Sequence, residues 1–279
     1  MMKQTASQFF SAVINGILLL FCASYIFPFA WLFYTSLKSQ KSFLVNMFGP
    51  PIPPTLENYQ KLFSDKALIQ ALFNSFFNCL LSIILIVVFS FSVGYVLARY
   101  NFKGRNLLYL TFVAAMLVPV HALLVPTYVY FGTLNLLNKR FTLLLPYVTF
   151  GLPVAIYLYE SYIRTIPKEI EEAARIDGAS TSYVMLRVIF PICLPITGTV
   201  ILLNFMGIWN EFPFALVLAS HPRTRTVTVW LSTLTGLYSG SIPLRLTALL
   251  VACLPIIIVF ILLRQKMIES VAAGAIKGF

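Results

Sequence analysis

Charge is so sparse in this 279-residue chain that the gaps between charged residues set its architecture. Uncharged runs occupy 4–37, 67–98, 106–138, 141–159, 188–210 and 246–263, and each is 18 residues or longer. A helix needs about 20 predominantly apolar residues to cross a hydrocarbon layer of about 30 Å, so the spacing predicts six transmembrane helices. Barrel strands alternate polar and apolar residues, whereas these stretches are continuous. Composition agrees: 59% of the chain is hydrophobic and 10% charged, against roughly 45–50% and 25% in soluble globular chains. The predicted class is an all-α polytopic membrane protein. The first apolar region, Ile14 to Leu37, is too long for a secretory signal and lacks a clear small-residue cleavage site, which makes it the first span.

Six crossings put both termini on one side of the membrane. The positive-inside rule barely selects which: with cytoplasmic termini, eleven of the twenty Lys and Arg fall inside and nine outside. The net charge of +11 suits anionic lipid neighbours. No basic run is interleaved with aromatics, which weighs against nucleic acid as a partner. The four cysteines, Cys22, Cys79, Cys193 and Cys253, lie in or beside apolar spans and suggest neither a disulfide framework nor a metal cluster.

Along the chain, the first span leads into GPPIPPTLENYQKLF, Gly49 to Phe63, where prolines 50, 51, 53 and 54 favour an extended connector. The second span is expected over 71–98, followed by a short basic turn. A third, over 107–131, is expected to be kinked by Pro119 and Pro126. The fourth covers 141–162, the fifth 188–208, and the sixth 246–263 after an outer loop containing HPRTRT. The domain division that follows is 1–66 for the first helix and proline-rich loop, 67–265 for the main transmembrane domain, and 266–279 for a tail.

Against this background the window from 160 to 177 stands apart. Glu160, Glu169, Glu171, Glu172 and Asp177 are five of the nine acidic residues in the chain. The sequence IPKEIEEAARIDG predicts a short helix over 166–178, with Pro167 at its first position, carboxylates at the positive end of its dipole and Gly178 as a left-handed cap. Ile170, Ala173, Ala174 and Asp177 recur at helical spacing and give a face of small side chains ringed by carboxylates. A mid-membrane charge costs about 2.5–3.5 kcal/mol on insertion scales, so this helix belongs at a membrane surface. It is either a solvated cap on the bundle or a docking knob whose alanines admit a partner and whose glutamates meet its arginines.

The polar residues Asn74, Asn78, Asn204, Asn210 and Glu211, together with His121, fall in or at the ends of the apolar runs. Asn74, Asn78, Asn204, Trp209 and Asn210 are candidates for a solute pathway, with hydrogen bonding between helices as the alternative. Glu211 is placed to organise an outer gate or loop, and His121 to satisfy a carbonyl freed by a kink.

From Glu172 the chain reads EAARIDGASTSYVMLRVIFP. This resembles the EAA motif of binding-protein-dependent ABC importer permeases: Glu-Ala-Ala, a glycine four residues on, nine more residues, then Ile-x-Leu-Pro. Glu172, Ala173, Ala174, Gly178 and Pro191 match, while Val188 and Phe190 are conservative departures. WNEF at 209–212 and the tail AAGAIKGF are similar to the MalG-like permease subunits of carbohydrate-uptake ABC transporters. The resemblance implies a type I importer half with the MetI-like fold in the inner membrane of a bacterium or archaeon. It further implies a heterodimer with a MalF-like second permease, two ATPases that use ATP and Mg, and an extracytoplasmic solute-binding protein. The chain itself would bind no cofactor. By the same resemblance Glu171, Glu172, Ala173, Ala174, Asp177 and Gly178 form the coupling segment, Gly274, Lys277 and Gly278 contact the ATPase, and both termini are cytoplasmic. The expected function is import of a carbohydrate by alternating access.

No GxxxxGK[ST] phosphate loop occurs, so hydrolysis is assigned to a partner and the chain is not expected to be an enzyme. The alternative from another class, an ion-coupled secondary transporter of a small polar solute, calls for ionisable groups at mid-membrane, and no acid falls clearly there. An intramembrane protease is disfavoured by the absence of HExxH.

Overall fold

A computed structural model describes residues 2–237 and 240–275, and within them the chain is helical with no strand. The elements are α1 (Met2–Ser36), α2 (Gln40–Val45), α3 (Glu57–Ser64), α4 (Lys66–Arg99), α5 (Arg105–Ala115), α6 (Leu124–Thr133), α7 (Leu144–Thr165), α8 (Glu169–Ile176), α9 (Thr181–Tyr183), α10 (Phe190–Ile192), α11 (Leu194–Asn210), α12 (Pro213–Leu218), α13 (Val227–Leu237) and α14 (Ile242–Ala275). A 3₁₀ turn at Val120–Leu123 precedes α6, and a π-helix at Val184–Ile189 joins α9 to α10.

The helices do not by themselves confirm the expected count of six spans. Among the described residues, Val13–Ser36, Lys66–Arg99 and Ile242–Gln265 are long and apolar enough to cross a membrane, and two bent pairs bring the number to at most five. The 22 residues of α7 measure about 33 Å. That is long enough to span, but four tyrosines, two prolines and Glu160 make it more polar than the others.

The third span is not one kinked rod. Arg105–Ala115 and Val120–Thr133 meet at 89°. Pro119 is extended, with φ −68° and ψ 105°, and it disfavours helix at the residue before it. Pro126, by contrast, lies in the first turn of α6, where a missing N–H leaves nothing unpaired. The fifth span is likewise split, with Thr181–Ile192 and Leu194–Asn210 at 75°. Pro191 has no N–H and its ring displaces the carbonyl four residues back, so the preceding turn widens into a π-helix in which the Phe190 N–H reaches Met185 O. At the break, the Thr197 hydroxyl donates to Cys193 O at 2.8 Å and accepts from Tyr159 Oη at 2.8 Å.

Two loops also differ from expectation. The proline-rich connector is non-helical as far as Leu56, after which α3 takes over. The outer loop expected after the fifth span is largely helical, carrying α12 and α13. The signal for α13 is the uncharged run 226–244.

The chain divides into two compact units. One comprises the chain up to Leu68 with Leu231–Leu254. Its polar centre is Lys38, fully buried, whose Nζ donates to Asn46 O at 3.0 Å and Met47 O at 3.1 Å. Asn58 Nδ2 donates to Ser36 O at 2.9 Å and Lys38 O at 2.8 Å, tying α3 to the end of α1. The other unit comprises Ile69–Trp230 with the chain from Pro255 onward. There the Phe91 ring lies 5.5 Å from Tyr159 and 4.9 Å from Phe190. A Cβ at Gly94 would fall 2.8 Å from Tyr159 Cβ, so α4 and α7 meet backbone to backbone at that point.

Candidate functional site

α8 is short, and its ends are well determined. Glu169, Glu171 and Glu172 occupy the first turn and Arg175 the last, complementing the helix dipole at both ends. Lys168 is the N-cap, so Pro167 lies two residues before the first helical position rather than on it, and the helix is shorter than the predicted 166–178. Gly178 has φ +86° as predicted. Its N–H donates to Arg175 O at 3.0 Å and the Ala179 N–H to Ala174 O at 3.0 Å, the paired bonds of a Schellman cap.

The carboxylates of the acidic window do not share one role. Glu171 is 4% exposed and faces the bundle. Its carboxylate pairs with Arg99 Nε, accepts from Tyr95 Oη at 2.8 Å, and lies 4.0 Å from Arg175 Nη2. Arg99 Nη2 also donates to Ile166 O at 2.9 Å, gripping the residue where α7 ends. Removing one member of a buried pair of this kind costs about 3–5 kcal/mol, because the other charge is left uncompensated. Glu160, also buried, bonds Arg105 Nη2 at 3.1 Å and Arg164 Nε at 2.5 Å, binding α5 to α7.

Two of the five window acids are therefore turned inward, and Glu171 does not join the outer ring of carboxylates that helical spacing suggested. Glu169, Glu172, Ala173, Ile176 and Asp177 remain exposed, with Ile176 at 86%. Ala174, Asp177, Gly178, Ala179, Ser180 and Tyr183 line an adjoining groove of about 540 Å³.

The five pathway candidates do not converge on one surface. Asn74 Nδ2 donates to Arg223 O and Arg225 O, both at 3.0 Å, and its Oδ1 accepts from Gln70. Asn78 Nδ2 donates to Asn74 O at 2.8 Å, while its buried Oδ1 has no hydrogen-bond partner. The Asn74 amide thus ties α4 to the 223–225 loop, while that of Asn78 bonds within α4. Trp209 is 2% exposed, stacked on Phe205 and edge-on to Phe76. Asn210 is exposed, its Nδ2 donating to Met206 O at 2.9 Å.

Asn204 borders a cavity of about 210 Å³, shared with Val120, Tyr147, Phe150, Gly151 and Glu211. Its Nδ2 donates to Val200 O at 2.9 Å. Glu211 caps α12, its carboxylate accepting from the N–H of Phe214 at 2.6 Å, the N–H of Ala215 at 2.9 Å and Tyr147 Oη at 2.9 Å. His121 is exposed, with its ring 6.5 Å from that of Phe214. Gly274 lies near the end of α14, whereas Lys277 and Gly278 fall outside the described residues.

Sequence patterning missed the Arg99–Glu171 and Arg105–Glu160 pairs, although each joins members of two visible charge clusters. The basic turn RYNFKGRN and the acidic window face each other in space.

The sequence pattern of a family described as "Binding-protein-dependent transport system inner membrane component" matches residues 90–272. The "Sulfoquinovosyl glycerol transport system permease protein SmoH" of Agrobacterium fabrum is 36% identical over 254 residues, covering 91% of this chain and 89% of that protein. The "Trehalose/maltose transport system permease protein MalG" of Thermococcus litoralis is 31% identical over 260 residues, 91% of this chain and 92% of that one. Among solved structures, a chain of a bacterial ABC transporter involved in the import of the acidic polysaccharide alginate superposes with a TM-score of 0.80 at 22% identity, over 92% of this chain and 96% of that chain. This last likeness establishes the fold alone.

Proposed function

Because the chain belongs to the family of binding-protein-dependent transport system inner membrane components, we propose that it is one transmembrane half of an ATP-driven importer for a sugar or oligosaccharide. The family consists of transport permeases, so the chain is not an enzyme. Its expected partners are a second permease, two ATPases that use ATP and Mg, and an extracytoplasmic solute-binding protein. The carbohydrate assignment rests on what the related permeases are named for transporting.

The observation that carries the reading is the two-sidedness of α8. One face is fastened to the bundle through Glu171, while Glu172, Ala173, Ile176 and Asp177 are left open beside a groove edged by Ala174 and Gly178. Small residues admit close backbone approach, and the free carboxylates of Glu172 and Asp177 offer charge-assisted hydrogen bonds to arginines. A nucleotide-driven ATPase seated on that face would push α8, and with it α7, in a rigid-body alternation between inward- and outward-open states. In this arrangement α8, both termini and the tail containing Gly274, Lys277 and Gly278 are cytoplasmic. The cavity at Asn204 is the candidate contact for a hydroxyl-rich solute.

Glu172→Ala tests the docking role directly, since Glu172 is exposed and its loss leaves the bundle intact. The expected result is a chain that inserts and purifies normally, loses co-purifying ATPase and fails in uptake. Normal uptake with a full complement of ATPase would refute the assignment.

A further inference from the structure

We propose that Arg99 is a clamp that makes α8, the end of α7 and the transmembrane helix α4 move as one body, so that a push on α8 is delivered into the membrane. The proposal rests on the reading of α8 as the ATPase-docking segment, but the clamp has its own structural basis. One guanidinium reaches two elements: Nε meets Glu171 on α8, and Nη2 meets Ile166 O at the end of α7, at 2.9 Å. The second carboxylate oxygen of Glu171 is taken by Tyr95 Oη at 2.8 Å, one turn earlier on α4. Both partners of the ion pair have side chains only 6% exposed, so water is not at hand to replace either charge.

Geometry shows why such a clamp is needed. α8 is joined to α7 by only the short Ile166–Lys168 link, which contains Pro167, and it leaves through a glycine cap at Gly178. Among the described residues, Glu171 is the one α8 side chain that forms an ion pair with another helix. The second buried pair, Glu160 with Arg105, joins α5 to α7 and does not touch α8. Without Arg99, α8 would keep the Tyr95 hydroxyl bond to α4 but no ion pair to it, so a pull on the exposed face would move α4 less. Glu171 and Arg99 are thus positioning residues, distinct from the exposed Glu172.

Amide hydrogen exchange on the full-length chain in lipid nanodiscs tests the clamp. Glu171→Gln and Arg99→Met should each speed exchange of the α8 amides by about ten-fold or more while the amides of α7 stay slow. Glu172→Ala should leave α8 close to the unaltered chain. Should Arg99→Met fail to fold, Glu171→Gln carries the test, because its amide keeps the shape of the carboxylate. Exchange in α8 no faster than in Glu172→Ala would overturn the clamp.

Transmission is read in the assembled complex with its ATPases. Mg·ATP should alter exchange over Val93–Arg99 in the unaltered complex. Glu171→Gln should retain the ATPase yet lose most of that change, and an undiminished response would overturn the proposal. If the unaltered chain holds no ATPase at all, the docking reading fails, while the comparison of α8 exchange still decides whether Arg99 clamps.

Discussion

Replacing Gly94 by alanine probes how closely α4 and α7 approach. The added carbon would lie 2.8 Å from Tyr159 Cβ, 3.1 Å from Glu160 N and 3.4 Å from Ile156 O. Carbon atoms in relaxed contact sit about 3.5–4.0 Å apart. None of these neighbours is the free end of a side chain, so the helices themselves must part. Overpacking of this kind costs about 1–3 kcal/mol. Against it stands the greater helix propensity of alanine, worth about 0.8–1.0 kcal/mol.

Gly207, inside α11, separates the two effects. A Cβ there would meet nothing within 4 Å, so Gly207→Ala gains the propensity without the clash. The difference between the variants is then the clash alone. At about 2–4 °C per kcal/mol for chains of some 150–250 residues, Gly94→Ala should melt roughly 2–12 °C below Gly207→Ala. The assay is thermal unfolding of both purified chains in one detergent, followed by tryptophan fluorescence. A Gly94→Ala protein that melts at or above Gly207→Ala would refute the close approach.

Two further substitutions examine helix ends. Glu211→Gln replaces the carboxylate that caps α12 and holds Tyr147 with a neutral amide, and should cost about 1–2 kcal/mol, read as a lowered melting temperature; an unchanged value would dismiss the capping role. Gly178→Ala forces a side chain into φ +86° at a cost of about 1–2 kcal/mol. Faster amide exchange over Ala174–Ala179 is its expected signature, with Gly178→Asn milder because asparagine tolerates that conformation; equal exchange in all three proteins would argue against the cap.

Much of the architecture is legible in the spacing of charge, because an apolar helix in hydrocarbon must satisfy its own backbone and so appears as a long uncharged run. The short helix ending at Gly178 is legible for a related reason: dipole complementarity and a left-handed cap require particular residues at particular offsets. Helix breaks are harder to place. Pro119 and Pro126 look alike in sequence, yet only the first lies at a bend, since a proline in the first turn of a helix disrupts nothing. Pairing was hidden for a different reason. Arg99 and Glu171 are 72 positions apart, and no local pattern says that the basic turn and the acidic window face one another. Asn74 and Asn78 look like pathway residues in sequence, but the 223–225 backbone that occupies Asn74 is more remote still, 149 and 151 positions along the chain.

The cavity beside Asn204 draws these strands together. Val120 begins the turn that follows the break in the third apolar run, and Glu211 is the residue at which α11 stops, so two helix interruptions border one space. Interrupted backbone within a bilayer is tolerated where protein or a water-filled cavity can satisfy it. Here the Glu211 carboxylate satisfies the start of α12. Gly151 and Gly207 withhold side chains from the same wall, while Tyr147 and Asn204 supply a hydroxyl and an amide. A count of polar residues across the spans ranks Asn74 and Asn78 equal to Asn204. Coincidence of helix breaks with a polar lining separates Asn204 from the other two.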